Sequence, residues 1–320
     1  MTHCPECDSE MVKSGFKNGK QNYYCQNCGR QTLNPKILIV DKKTGSVNWR
    51  EWSTHLRAGQ ALHEKSSYSQ DACHIEIKTD REFIIYQPLS DMHLGSIGCN
   101  YEMLEDFTNE ILKRDDLYFS THGDHIDGFF RFKNQLAVHQ MQMSPEDQIR
   151  FLESWVEEVR HKFLFSTWGN HEEMEEKASG MNTTKRVLGK RLVYFNGIGV
   201  AFLNVNGIEY KIAATHKTRF SSAFNKTHGL KQLARKDIPD ADIYLSGHTH
   251  DPGFEMTTER GLWQVFAVLG SFKSNDGFAK RYFAYHSSQQ MTALVLNAKK
   301  KEVIPFLNLD QAFRYAGENK

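Results

Sequence analysis

Five short apolar runs, each followed within a few residues by acidic, amide or imidazole side chains, stand out in the hydrophobic pattern of the chain. The first covers residues 83–86, whose β-branched and aromatic side chains predict a buried strand. It leads to Asp91 and His93, which an extended backbone would direct to the same face. Polar residues that follow such strands gather at the carboxyl edge of an open α/β sheet, where ligand sites form. The other four runs are 117–119 before Asp124, 163–165 before Asn170, 210–214 before His216, and 243–245 before His248 and His250.

Helical spacing and turn signals mark further elements. Residues 101–113 follow a helical period, and Ser144 followed by Pro145 predicts a helix start that continues to about His161. Asn206-Gly207 between two apolar runs predicts a β-hairpin. Residues 37–40 suggest a short strand and 49–63 a helix, and strand-like runs close the chain at 263–269, 292–296 and 303–307.

Composition narrows the class of protein. The 320 residues are enough for one large domain and a small module, and 39% hydrophobic with 25% charged residues is ordinary for a globular chain. The net charge of +1 indicates no global attraction to polyanions, so nucleic-acid affinity would need local patches. No apolar stretch approaches the roughly 18 residues of a membrane span, and the first residues contain no apolar signal region. We therefore expect no membrane partner and a cytoplasmic protein.

Four of the six cysteines form two CxxC pairs separated by 17 residues, which suits a tetrahedral zinc site rather than a disulfide framework. The stretch resembles the zinc ribbons of transposase-associated and other DNA-handling proteins. Nucleic-acid contact through its lysines, Arg30 and a tyrosine is one interpretation. A protein partner, or a zinc-stabilised knob without a partner, is the other. The zinc ligands would be Cys4, Cys7, Cys25 and Cys28, and the basic and aromatic candidates are Lys13, Lys17, Lys20, Arg30, Tyr23 and Tyr24.

The motifs DxH, GDxxD, GNH[DE], an isolated His and GHxH occur in this order between residues 83 and 271. As a set they resemble the calcineurin-like metallophosphoesterase superfamily, and the chain is similar to its uncharacterised phage and bacterial members. That resemblance implies the cytoplasm of a bacterial or phage-infected cell. The resemblance implies an α/β fold, a four-layer α-β-β-α sandwich, preceded here by the small ribbon. The expected division is 1–35 for the zinc ribbon, 36–80 for a connector, 81–310 for the metallophosphoesterase domain and 311–320 for a C-terminal tail.

The resemblance also implies a dinuclear centre. Two divalent ions, with Mn²⁺ expected and Fe, Zn, Ni or Co as alternatives, would share a hydroxide that attacks phosphorus. A carboxylate that bridges two ions uses ligand capacity on both oxygens, a role that suits Asp124. His171 would protonate the leaving oxygen, and Asp127 would accept a hydrogen bond from His171. The acids at 172–176 are predicted to form a solvated face. The first ion would be held by Asp91, His93, Asp124 and His250, and the second by Asp124, Asn170, His216 and His248.

The sequence constrains the substrate less than it constrains the metal centre. Protein Ser/Thr phosphatases of the superfamily carry arginines after GDxxD and before GNHE, where this chain has Gly128-Phe129 and Trp168. The capping domain of the DNA-repair exonucleases is not evident. A nuclease or phosphodiesterase acting on DNA or RNA is favoured because of the ribbon, with a small-nucleotide phosphoesterase and a nucleic-acid-binding protein of little activity as alternatives. The expected substrate contacts are Arg131, Lys133, Arg219 and His228.

Overall fold

The computed structural model describes residues 2–33, 36–37, 48–66, 71–128, 141–222, 224–259, 261–273 and 290–318. The chain divides into two compact units, Met1–Tyr68 and Ser69–Lys320. Within the described ranges, no helix combines the length and the apolar character needed to cross a bilayer.

The first unit is a small β-structure followed by a helix. Strands β2, β3 and β4 form one antiparallel sheet, and β1 pairs with β5. The predicted helix at 49–63 is present, whereas residues 38–40 of the predicted strand lie outside the described part of the chain. The elements are β1 (Thr2–His3), β2 (Met11–Lys17), β3 (Lys20–Cys25), β4 (Gln31–Thr32), β5 (Lys36–Ile37) and α1 (Trp49–Ser66).

The second unit contains two six-stranded mixed sheets. Its elements are β6 (Ala72–Ile77), β7 (Phe83–Leu89), α2 (Tyr101–Lys113), β8 (Leu117–His122), α3 (Pro145–Val159), β9 (Phe163–Thr167), α4 (Asn170–Ser179), α5 (Thr183–Leu188), β10 (Val193–Phe195), β11 (Gly199–Val205), β12 (Ile208–Ala214), α6 (His228–Lys236), β13 (Ile243–Ser246), β14 (Gly253–Glu259), β15 (Leu262–Val268), β16 (Ala293–Asn297), β17 (Val303–Phe306) and α7 (Leu309–Glu318). The strand orders are β10-β9-β8-β7-β16-β17 and β14-β15-β13-β12-β11-β6.

The side chains of β7 show how the layers are built. Ile84 and Tyr86 point into a core that the two sheets enclose, and Ile85 points the other way, into a core shared with helices α2, α3 and α7. This alternation follows from the two-residue period of a strand, and each fully buried apolar side chain contributes about 1.5–3 kcal/mol. Helix α6 covers the outer face of the second sheet. The predicted four-layer α-β-β-α sandwich is confirmed.

Two segments belong to this sandwich although the sequence division left them outside it. Residues 72–77, expected in the connector, form the edge strand β6 and pair in parallel with β11. The boundary at residue 310 falls inside α7, so residues 311–318 are helix rather than tail. Ala312 and Ala316 are buried against the first sheet because they lie four residues apart on one face of that helix.

Candidate metal centre

All seven predicted metal ligands lie in or directly after the carboxyl ends of neighbouring strands. Strand β7 leads to Asp91 and His93, and β8 leads to Asp124. The remaining ligands follow the other strands, with Asn170 after β9, His216 after β12, and His248 and His250 after β13.

Five of these residues have an unusual backbone. Non-glycine residues rarely adopt a positive φ, and such strain clusters at functional sites. Here φ is 52° at Asp91, 49° at His93, 51° at Asp124, 73° at His248 and 57° at His250. The surrounding structure therefore holds these side chains in fixed, strained positions.

Asp91, His93 and His250 form the first cluster, with ligand atoms all within 4.8 Å of one another. Nε2 of His93 and Nε2 of His250 are 3.2 Å apart. Oδ1 of Asp91 lies 3.1 Å from the same His250 nitrogen. The other oxygen, Oδ2, accepts hydrogen bonds from Ser90 Oγ at 2.6 Å and from the His248 N–H at 2.8 Å, which fixes the carboxylate.

Asp124, His216 and His248 form the second cluster, again with ligand atoms within 4.8 Å. The amide Oδ1 of Asn170 lies 2.8 Å from Nε2 of His216, so Asn170 joins this set. Nδ1 of His216 donates to the carbonyl of His122 at 2.8 Å, which leaves Nε2 as the nitrogen that faces the cluster.

Asp124 lies between the two clusters and uses its oxygens differently from the sequence expectation. Oδ2 is 4.0 Å from His93 Nε2 in the first set and 3.4 Å from His216 Nε2 in the second. Oδ1 instead accepts the main-chain N–H of His171 at 2.9 Å. A single oxygen therefore faces both sets, and the other fixes the start of α4.

The pKa shifts in the centre show that its buried carboxylates need positive charge beside them. Burial lowers the pKa of His93 to about 4, assisted by Lys273, so this imidazole is neutral near pH 7. Burial alone would raise the pKa of Asp124, but His171 and His216 outweigh it and hold the pKa well below the usual range. Burial would likewise lower the pKa of His216, but Asp124 and Asp91 raise it to about 10. Buried carboxylates of this kind need compensating positive charge, and the mixed N/O donor set suits Mn, Fe or Zn.

Glu172 supports this centre, and the sequence interpretation of it as a solvated acid was wrong. Its side chain is fully buried. The two carboxylate oxygens accept the main-chain N–H groups of Asp124 and His125, both at 3.0 Å, and Nδ1 of His125 lies 2.8 Å away. Glu172 thus holds the strained turn that presents Asp124.

The glycines of the GDxxD and GNH motifs permit the same close approach. A Cβ on Gly123 would come within 2.6 Å of the Cα of Gly169, and a Cβ on Gly169 would come within 2.2 Å of the Asp124 nitrogen. Real Cβ atoms do not make such contacts, so the β8 and β9 turns can pack together only without side chains at these positions.

His171 and Asp127 are both near the centre, but they contact each other through the main chain. Nδ1 of His171 donates to the carbonyl of Asp127 at 2.6 Å, and Nε2 lies 3.8 Å from Asp124 Oδ2. With His93 and Asp124, His171 also forms a third cluster within 4.8 Å. The Asp127 carboxylate lies 3.0 Å from His93 Nδ1 and accepts from Lys273 Nζ at 2.9 Å. The carboxylate thus orients the ligand His93, and the predicted hydrogen bond from His171 to Asp127 is made to the main-chain carbonyl.

The predicted substrate contacts do not gather at the centre. Arg131 and Lys133 lie outside the described residues. Arg219 is exposed beside a small cleft, and His228 begins α6; among the described contacts, neither touches a predicted ligand. Two other cations are near. Burial, His216 and Lys217 together lower the pKa of His248 to about 4. Lys273 Nζ donates to the Asp127 carboxylate.

The four ribbon cysteines form a separate cluster, with sulfur atoms within 4.8 Å of one another. Sγ of Cys4 is 3.5 Å from that of Cys28, and Sγ of Cys7 is 3.5 Å from that of Cys25. In a tetrahedral site with Zn–S bonds of about 2.3 Å, neighbouring sulfur atoms are about 3.8 Å apart. The arrangement is consistent with a zinc ribbon.

The sandwich fold and the acid–imidazole clusters at its strand ends define a metallophosphoesterase. Residues 89–252, just over half of the chain, match the family profile of the calcineurin-like phosphoesterases, and the chain belongs to that family.

Solved structures match the chain at low identity. A Streptococcus pneumoniae protein described as a predicted phosphoesterase is 18% identical, with a TM-score of 0.36 over 70% of this chain and 90% of its own. Vacuolar protein sorting 29 from Cryptosporidium parvum is 14% identical, with a TM-score of 0.38 over 70% and 97%. The nuclease MPE of Pseudomonas putida is 13% identical, with a TM-score of 0.32 over 69% and 87%. No curated protein matches the chain.

Proposed function

We propose that the chain is a dinuclear-metal phosphodiesterase that cleaves nucleic-acid phosphodiester bonds. The observation that carries the proposal is the convergence of seven donor side chains into two sets that share Asp124. Two divalent ions, when bound, would acidify a water between them and neutralise the charge of the phosphate oxygens. The first set would be Asp91, His93, Asp124 and His250, and the second Asp124, Asn170, His216 and His248.

His171 is the proposed general acid. Because a carbonyl can only accept, the bond to the Asp127 carbonyl places a proton on Nδ1. As the general acid, His171 would transfer a proton from Nε2, the nitrogen that faces Asp124 Oδ2 at 3.8 Å. The Asp127 carbonyl thus orients the ring so that Nε2–H is the group available to a leaving oxygen.

The ribbon supports nucleic acid as the substrate. Lys13, Lys17 and Lys20 lie on the β2–β3 hairpin, are exposed, and have no ion-pair partner among the described residues. Phe16, on the same hairpin, is 77% exposed and offers a surface on which a base can stack. A polymer held by both units would gain effective concentration at the metal centre. The ribbon metal is proposed to be Zn²⁺.

The test uses the full-length protein with Mn²⁺ on single- and double-stranded DNA and RNA, with bis(p-nitrophenyl) phosphate in parallel. We expect polymer cleavage that disappears in Asp124→Asn, the control for contaminating nuclease. Hydrolysis of the small diester with intact polymers would contradict the nuclease assignment. Polymer binding without hydrolysis of any ester would instead support a nucleic-acid-binding protein with little activity.

A small-molecule phosphoesterase acting on cyclic or linear nucleotides is the second candidate. The net charge of +1 favours it, because the whole chain offers little attraction to a polyanion. The test replaces Lys13, Lys17 and Lys20 with Gln, and the matched control replaces the lysines of the β16–β17 turn, residues 299–301. For a nuclease, the slope of log binding constant against log salt concentration should decrease in magnitude by about three units in the ribbon variant. The control variant should keep the wild-type slope. Equal polymer cleavage by both variants would show that the ribbon lysines do not hold the polymer. Turnover of a cyclic or linear nucleotide with intact polymers would favour the second candidate.

A further inference from the structure

A cleft of about 450 Å³ lies between α3 and α4, and His171 is part of its wall. Its apolar surface includes Ile126, Ile149 and Ala178. Its size is within the range of small-molecule pockets, about 300–1,000 Å³. We name it the α3–α4 cleft. It contains none of the seven predicted metal ligands, and it adjoins the metal centre at His171 and at Glu172, the residue that supports the Asp124 turn.

The position of His171 connects this cleft to the proposed reaction. Hydrolysis joins a water oxygen to phosphorus and breaks the bond between phosphorus and the leaving oxygen. In the proposed function, His171 then gives its Nε2 proton to that oxygen. Because His171 contacts both the metal centre and the cleft, the group attached to the leaving oxygen departs beside the cleft.

The described lining of the cleft is acidic. Among the described residues none that lines it is Lys or Arg, while Glu146, Glu172 and Glu175 contribute carboxylates, so this part of the wall does not favour a second phosphate. Glu146 pairs with Arg150 at 2.6 Å, so its charge is partly compensated. Glu175 is half-buried, and one of its oxygens accepts the main-chain N–H of Thr183 at 3.0 Å. Among the described residues its other oxygen has no partner and can accept from a ligand.

We propose that the α3–α4 cleft binds the leaving nucleoside, with its base on the apolar wall and an amino group of the base donating to Glu175. This inference rests on the proposed function, which supplies the leaving group. Carboxylates accept hydrogen bonds from exocyclic amino groups of bases, and thymine and uracil have none. Adenosine, cytidine and guanosine therefore bind more tightly than thymidine or uridine.

The experiment measures binding of free nucleosides to the full-length protein by NMR or calorimetric titration. Ala178 is exposed on α4, so Ala178→Trp adds a ring to the cleft without entering the core. It should weaken adenosine and cytidine binding at least tenfold. Lys177→Trp, on the same helix but outside the lining, is the control and should leave binding within twofold of wild type. Equal binding by both variants, or no nucleoside binding by the wild-type protein, would overturn the assignment.

A second pair of variants tests the carboxylate. Glu175→Gln should reduce the preference for cytidine over uridine at least fivefold, whereas Glu173→Gln, outside the lining, should preserve it. Hydrolysis of bis(p-nitrophenyl) phosphate, measured in parallel, separates the two levels of inference. Hydrolysis without nucleoside binding overturns the cleft assignment alone. Absence of hydrolysis of any diester overturns the proposed function, and with it the role of the cleft in holding a leaving group.

Discussion

The buried carboxylate of Glu172 should be one of the largest single contributions to the stability of the metal centre. Its oxygens accept hydrogen bonds from the main-chain N–H groups of Asp124 and His125, and it also contacts the ring of His125. Hydrogen bonds to a charged group contribute about 1.5–3 kcal/mol each. In Glu172→Gln one acceptor oxygen becomes an NH₂ group facing another N–H donor. We therefore expect a loss of about 3 kcal/mol in the free energy of unfolding of the metal-free protein.

Glu173→Gln is the matched control, because the same change is made one residue later at a partly exposed position. Glu173 pairs with Lys177 one turn along α4, and exposed pairs of this kind contribute about 0.3–0.5 kcal/mol. Urea unfolding of both variants, followed by circular dichroism, gives the comparison. Titration with Mn²⁺ should also show weaker binding in Glu172→Gln only, since the Asp124 turn loses its support. If the two unfolding free energies agree within 1 kcal/mol, the supporting role of Glu172 is refuted.

Three further outcomes are expected. His171→Ala should retain Mn²⁺ binding in calorimetry yet lose at least about 100-fold in kcat toward diesters with poor leaving groups, whereas loss of metal would make His171 a ligand. Asp127→Asn should weaken one Mn²⁺ site about 10- to 100-fold, because the carboxylate orients His93; two unaltered sites would contradict this. Burial lowers the pKa of His122 to about 3, so below its ordinary value of 6.5 the unfolded chain binds a proton that the folded chain does not, and stability falls as pH falls. The loss of unfolding free energy between pH 7 and pH 5 should be about 2 kcal/mol smaller in His122→Leu, and equal losses would show that His122 is not responsible.

The strand ends could be predicted because their signals are local. The apolar run before Asp91 determines a buried strand, and the chemistry of the next residues follows directly from the sequence. The same holds for the glycines at 123 and 169, whose positions beside ligands fit a close backbone approach. Fold class and the grouping of ligands at one sheet edge therefore required no knowledge of distant contacts.

The contacts that hold the metal ligands in position could not be predicted, because they join residues that are far apart in the sequence. Glu172 lies among other acids, and its burial depends on N–H groups 47 and 48 residues earlier. Lys273 meets Asp127 across 146 residues. Whether Asp127 meets His171 with its carboxylate or its carbonyl is decided by a side-chain rotamer, which no sequence pattern specifies. Helix α7 was missed for a simpler reason, because its alanines carry little hydrophobic signal although they are buried.

The place of β7 in the first sheet has a consequence for biosynthesis. This strand supplies Asp91 and His93, and its neighbours are β8 on one side and β16 on the other. Strand β16 is made about 200 residues after β7, which corresponds to about 10–40 s at about 5–20 residues per second. Until then the strand behind the ligands has an unpaired apolar edge, the kind of surface that recruits chaperones or other chains. All seven predicted metal ligands are therefore synthesised before β16 can pair with β7, the strand that leads to the first two of them.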